Sequence, residues 1–328
     1  RTNYRIQERL LGRRTFTFLR ELEQTQHWSR NELQQLQLER LQKIVSHAYD
    51  KSAFWRETMS QQGLVPRDMR SLEDLQRFPL LDKETVRAER ERMVDREGRK
   101  RLMLVRTSGS TNEALQFYAD SDREAQINAA RIRGHRWAGI NKGDREMYFW
   151  GSPIELSKQD RIKRFRDWLI NDGLTNGFEI KPDLVKQYYE YWMRWRPKCI
   201  FGYPNSLMLM AVMARPQNLD LRALGPRGLK AICTTSEMLT DVDRQLISDA
   251  FGVPVFDSYG LREAGLIGHE CREQVMHTTD EQLILETIDP QTLEKTDGEG
   301  ELVVTSIYST VMPMIRYRTG DIVTLSSE

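Results

Sequence analysis

The sequence predicts an α/β fold in three parts: a helical lead-in over residues 1–100, a region with a mostly parallel sheet over 101–270, and a smaller β-rich subdomain over 271–328. Three observations carry this. Residues 31–49 place Leu33, Leu36, Leu41, Ile44 and Val45 near the helical period. Beyond residue 101, short apolar runs alternate with longer helical patterns, the rhythm of βαβ units. Residues 283–288 and 301–307 then alternate as antiparallel strands around an acidic turn at Gly298 to Gly300.

Each element follows in order. Pro66 and Pro79 punctuate the segment after the first helix, and Leu72, Leu75 and Phe78 read as a short packed helix and its exit. Residues 101–106 form a strand ending in a Ser/Thr/Gly turn. Residues 121–137 read as a helix and 147–150 as an aromatic strand. Pro182 opens a helix over 181–196, where its missing N–H is one that a helix start leaves unpaired anyway. Residues 199–201, 229–233 and 253–256 read as short buried strands, separated by helices over 205–214 and 240–251.

Composition narrows the function classes. Of 328 residues, 30% are charged and 39% hydrophobic, which is globular rather than disordered. Lys and Arg total 49 against 48 Asp and Glu, a net charge of +1 that argues against a nucleic-acid partner. The basic runs at 96–101 and 161–166 read as solvated faces. Three cysteines, Cys199, Cys233 and Cys271, argue against a disulfide framework and fit a reducing, cytoplasmic compartment. The longest apolar stretch, residues 207–214, is too short to span a bilayer. The polar N-terminus lacks a secretory pattern, and a first residue of Arg rather than Met reads as a piece of a longer protein. Oligomeric state is not legible.

Three segments carry candidate chemistry. Thr107-Ser108-Gly109-Ser110-Thr111 follows a strand, and such a turn presents backbone N–H groups and hydroxyls to phosphate oxygens. It reads equally as an ordinary Ser/Thr/Gly turn, and no Gly-Lys-Ser/Thr makes it a Walker loop. Asp257-Ser258-Tyr259-Gly260 leads to Glu263 directly after the strand over 253–256. Ligands of open α/β sheets bind beyond the carboxyl ends of strands. An aromatic ring there can stack on a base and a carboxylate can hold Mg²⁺, or the segment is a plain strand-to-loop turn. Arg316-Tyr317-Arg318-Thr319-Gly320-Asp321 offers a carboxylate after a Gly turn, suited to ribose hydroxyls or simply closing a hairpin.

Taken together and in this order, the three segments resemble the adenylate-forming superfamily of acyl-CoA synthetases, luciferases and adenylation domains. Within it the chain looks most like the phenylacetate–CoA ligase-like family and its capsular polysaccharide branch. Gly202-Tyr203-Pro204, Thr234-Thr235-Ser236-Glu237 and the run from Gly298 to Val303 add to the likeness, which covers nearly the whole chain. The resemblance implies the family's large N-terminal domain. It implies a phosphate loop at Thr107, Ser108, Gly109, Ser110 and Thr111, with Thr107, Thr111 and Glu263 serving catalysis. Ser236, Glu237, Asp257, Ser258, Tyr259 and Gly260 would line an adenine pocket with Tyr259 against the base. Glu263 would bind Mg²⁺, Asp321 the ribose, and Gly202 and Tyr203 the acyl group. ATP, Mg²⁺ and a small carboxylic acid are the implied ligands, and coenzyme A is the default acceptor of the acyl group.

Departures are also implied. The phosphate loop continues with Asn112 and Glu113 where the family usually has Gly, and Arg262 precedes the Mg²⁺ carboxylate where Thr is common. In the family a hinge and a small lysine-bearing domain follow the Arg-Thr-Gly-Asp segment, whereas this sequence stops at Glu328, so the small domain is expected to be missing. Cys271 and His277 read either as an ordinary loop pair or as half of a zinc site, since structural zinc wants four ligands. Cys199 and Cys233 read as plain core residues. The expected activity is AMP-forming activation of a carboxylic acid followed by transfer to a thiol. An amide-forming ligase and an inactive scaffold of the same fold are the alternatives.

Overall fold

The computed structural model describes residues 2–97, 102–107, 114–151 and 170–326. These form two compact units. The first comprises residues 1–12, 130–260 and 266–278, and the second residues 13–129, 261–265 and 279–328.

The first unit is built on strands β3 (Glu146–Phe149), β4 (Asp172–Thr175), β5 (Cys199–Gly202), β6 (Ala231–Thr235), β7 (Val255–Leu261), β8 (Gly265–Glu270) and β9 (Met276–Thr278). They form one sheet in the order β4-β3-β5-β6-β7-β8-β9. From β4 through β7 the pairing is parallel, and β8 with β9 is antiparallel. Parallel strands buried on both faces need near-continuous apolar runs, and β5 and β6 are buried at every position. Helices α7 (Pro182–Trp195), α8 (Pro204–Ala214) and α9 (Asp241–Phe251) supply the crossovers. Trp192, Leu207, Met210, Ile247 and Phe251 pack with Ile200, Ile232 and Val255 of the strands. Pro182 and Pro204 stand at their helix starts, and the Thr240 hydroxyl caps α9 by accepting the Asp243 N–H at 3.1 Å.

The second unit opens with α2 (Thr15–Thr25), α3 (Arg30–Lys51), α4 (Ala53–Gln61) and α5 (Lys83–Met93). Ser29 caps α3 in a reciprocal box with Glu32, so this helix starts where its sequence signals. The segment of Leu72, Leu75 and Phe78 is a single 3₁₀ turn, Glu73–Arg77. Strands β1 (Met103–Arg106) and β2 (Gln116–Ala119) make an antiparallel pair, followed by α6 (Ser121–Trp137), of which residues 121–129 belong to this unit and 130–137 to the first. Strands β10 (Leu283–Ile288), β11 (Lys295–Thr296), β12 (Glu299–Ser306) and β13 (Tyr317–Thr324) form an antiparallel sheet in the order β11-β10-β12-β13. Its core joins Leu41, Ile44, Trp55, Phe78, Phe117, Val311, Ile315 and Tyr317.

Two boundaries differ from the sequence reading. Residues 298–300 are not a simple turn: the short β11 intervenes and Gly300 lies inside β12. A Cβ there would stand 2.6 Å from the Ile288 carbonyl oxygen, so the close approach of β10, rather than chain reversal, requires glycine. Strand β7 runs from 255 through 261, so Asp257 to Gly260 are strand residues and not the loop after one. Among the described residues, no helix is long and apolar enough to cross a membrane.

Candidate functional site

The second unit holds three of the candidate segments. Thr107 closes the β1–β2 hairpin at its open end. Its N–H donates to the Leu115 carbonyl at 2.9 Å, and its hydroxyl accepts the Leu115 N–H at 3.0 Å. Thr107 and Leu115 thereby clamp the ends of the two strands. Ser108, Gly109, Ser110 and Thr111, with Asn112 and Glu113, lie outside the described residues.

Glu263 is a nearly buried carboxylate, 8% exposed. The Tyr317 hydroxyl donates to its Oε1 at 2.9 Å. Burial, reinforced by the Glu263 charge, pushes the Tyr317 phenol far above its ordinary range, so it stays a donor. The Arg123 guanidinium grips the same stretch from α6, donating to the carbonyls of Arg262 and, at 3.0 Å, of Glu263. Arg262 in turn donates to the Arg106 carbonyl at 3.3 Å. The residue before Glu263 is thereby tied to the residue before Thr107.

The Arg-Thr-Gly-Asp segment is a bulge within β13, not a hairpin turn. Glu301 pairs with Ile322 and Val303 with Arg318, so Thr319, Gly320 and Asp321 together oppose Leu302. Gly320 adopts φ +83°, which L side chains avoid. Its N–H donates to Glu301 at 3.2 Å, and the Asp321 N–H donates to the Thr319 hydroxyl at 3.1 Å. Arg318 forks onto the Glu301 carboxylate and buried Arg316 pairs with Glu286, so both cations of this motif brace the sheet.

The first unit holds the remaining candidates, at the carboxyl ends of parallel strands. Gly202 ends β5, and a Cβ there would lie 2.8 Å from the Phe149 carbonyl oxygen of β3. Tyr203 stacks on Trp150 with ring centres 4.2 Å apart, edge-on to exposed Phe178. Ser236 and Glu237 follow β6 and are exposed. Ser236 holds φ +69°, strained for a residue with a side chain. The Glu237 carboxylate accepts the Asn205 N–H at 3.1 Å, which brings it to the start of α8 beside Tyr203. On β7, Asp257 accepts the Thr234 hydroxyl at 2.6 Å and its N–H donates to Glu270 at 2.7 Å. Burial raises the Asp257 carboxyl above its ordinary value, although the Thr234 hydrogen bond opposes this. The Ser258 hydroxyl donates to the Thr234 carbonyl, so it serves the β6–β7 join. Tyr259 and Gly260 are half-buried on the same strand.

Cys271 and His277 are placed apart from any group of three potential metal ligands among the described residues. Cys271 donates to Glu273 at 3.0 Å, and His277 stands opposite His269 across β8–β9 with its ring edge-on to Trp137. Reading the sequence missed Tyr317, Arg123 and Thr234. Tyr317 lies inside a motif already singled out, and its place in an alternating strand could have put it indoors. Thr234 likewise opens the singled-out run of residues 234–237, whereas Arg123 carries no such signal.

No family model matches the chain. Two curated proteins match along nearly all of it. The phenylacetate–coenzyme A ligase of Pseudomonas putida is 29% identical over 308 residues, covering 89% of this chain and 66% of the ligase. Protein CapK of Staphylococcus aureus is 24% identical over 300 residues, covering 91% of this chain and 64% of CapK. The chain thus spans about two thirds of the length of these relatives. Among solved structures, 2-hydroxyisobutyryl-CoA ligase, crystallised with 2-HIB-AMP in the postadenylation state, superposes with a TM-score of 0.73. The match has 20% identity and covers 92% of this chain and 65% of that one. With that fold, and with likeness to phenylacetate–coenzyme A ligases along nine tenths of its length, the chain is similar in sequence and fold to the phenylacetate–CoA ligase-like family of adenylate-forming enzymes.

Proposed function

We propose that the protein of which this chain is part activates a small carboxylic acid with ATP to an acyl-adenylate, and passes the acyl group to coenzyme A. The observation that carries this reading is the tie of three segments within one unit. Arg262 anchors the Glu263 turn to Arg106, beside Thr107, and Tyr317 joins the Glu263 carboxylate to the strand that bears Asp321. A nearly buried carboxylate with one oxygen engaged by a phenol suits Mg²⁺, which takes one or two carboxylates along with substrate phosphates. When bound, that ion would neutralise charge on the phosphate oxygens.

The chain's own residues position the reactants. Thr107 and the Ser108–Thr111 loop would receive the phosphates, clamped by the Thr107–Leu115 hydrogen bonds. Asp321 would accept the ribose hydroxyls, its direction set by the Gly320 bulge. Tyr259, with Ser236, Glu237, Asp257, Ser258 and Gly260, would take the adenine. Tyr203, stacked on Trp150, would bound the acyl group beside Gly202. The carboxylate of the acid would attack the α-phosphorus in line, forming the P–O bond as pyrophosphate leaves. Such catalysis is chiefly positioning and charge stabilisation.

The test is the melting temperature of the chain with Mg·ATP, AMP or GTP, beside Asp321→Ala. A ligand that binds only the folded state raises the midpoint. The expected result is a rise with ATP and AMP, weaker with GTP and lost in the variant. No rise at millimolar ATP or AMP removes the nucleotide site from this chain and leaves a scaffold of the same fold.

A further inference from the structure

We propose that His135, Cys233 and His269 form a buried zinc site inside the first unit, separate from the Cys271 and His277 pair. The three come from different elements, α6, β6 and β8, and their exposures are 4%, 0% and 2%. One ligand atom of each lies within 4.8 Å of the other two. The Nε2 atoms of His135 and His269 are both buried with no hydrogen-bond partner. Buried polar atoms are nearly always paired, yet beyond Glu270 the group that acts on the His269 ring is the Cys233 sulfur, and His135 Nε2 has no hydrogen-bond partner among the described residues, so the trio calls for an explanation.

The other ring nitrogens are already arranged as metal-bound histidines require. His269 Nδ1 lies 2.8 Å from the Glu270 carbonyl, which fixes the tautomer that leaves Nε2 as a lone-pair donor. His135 Nδ1 lies 3.5 Å from the Glu146 carboxylate. Zinc bonds of about 2.0–2.3 Å place tetrahedral ligands roughly 3.3–3.8 Å apart. The trio therefore closes on an ion when its separations shrink by up to about 1.5 Å. The Cys199 sulfur donates to that of Cys233 at 3.7 Å but does not belong to the trio, so it could become a fourth ligand only by losing its proton and moving toward the histidines.

Space for this arrangement is built in. Residue 134 is glycine, and a Cβ there would stand 2.4 Å from His269 Cδ2. The His269 ring occupies the place where any other residue on α6 would put its side chain. Nitrogen and sulfur donors select zinc over magnesium or calcium. Three ligands this deeply buried would brace the sheet rather than perform hydrolysis.

The inference is independent of ATP chemistry and is tested without an activity assay. Metal content by mass spectrometry should give about one zinc per chain after expression in zinc-supplemented medium. Cys233→Ala and His269→Ala should lose it, and Cys271→Ser and His277→Ala should keep it. Refolding the metal-free wild-type chain with Co²⁺ should give a thiolate-to-cobalt charge-transfer band and tetrahedral d–d bands. The cobalt arm decides the question even where a buried variant fails to fold. Wild-type chain with neither zinc nor a cobalt–thiolate band overturns the proposal, as does zinc that survives Cys233→Ala or disappears with Cys271→Ser.

Discussion

Replacing Tyr317 by Phe removes one oxygen from the second unit and leaves the ring in place. The residue is 1% exposed, and Glu263, which accepts its hydrogen bond at 2.9 Å, is 8% exposed. A hydrogen bond to a charged group contributes about 1.5–3 kcal/mol, and burial at both ends favours the upper half of that range. No cavity forms beyond the hydroxyl, so the cost is almost wholly electrostatic. A loss of about 2.5 kcal/mol lowers the midpoint of a unit of this size by roughly 5–10 °C. Scanning calorimetry measures it, in a cycle with Glu263→Gln and the double variant. The two losses should fall short of additive by about 1 kcal/mol, because each substitution removes the same charged contact. Strict additivity, or a Tyr317→Phe midpoint within about 1 °C of wild type, would refute the coupling.

Further predictions bear on other parts of the structure. Gly320→Ala forces a side chain into φ +83° and should lose about 1–2 kcal/mol of stability. It should also weaken any AMP-dependent rise in melting temperature, and an unchanged rise would detach Asp321 from the nucleotide. Gly202→Ala sets a methyl against the Phe149 carbonyl and should destabilise the first unit by about 1–3 kcal/mol; a neutral result would show that β3 and β5 can separate. Burial pushes the Asp172 carboxyl up to about 6, although Lys142 at 2.9 Å opposes this. The folded chain then holds a proton that the unfolded chain releases near pH 4. Its contribution to stability is complete below about pH 4 and is lost as pH rises towards 6. The midpoint difference between wild type and Asp172→Asn should therefore change across that window and flatten above it, whereas parallel curves throughout would exclude the shift.

The sequence by itself determined the α/β class, most elements and the family resemblance. Helical spacing placed α3, and apolar runs placed β5 and β6, because period and burial are local properties of a chain. The Ser/Thr/Gly turn, the Asp257–Glu263 stretch and the Arg-Thr-Gly-Asp segment were legible as motifs for the same reason. What those motifs touch was not. That Arg316 and Arg318 brace carboxylates, that Tyr317 holds Glu263, and that the Gly320 segment is a bulge depend on strand register. Register follows from pairing between residues distant along the chain. Likewise Cys233 reads as one more apolar strand residue. Only the packing of α6 against the sheet, permitted by the missing side chain at Gly134, brings two histidines 98 and 36 positions away to its sulfur.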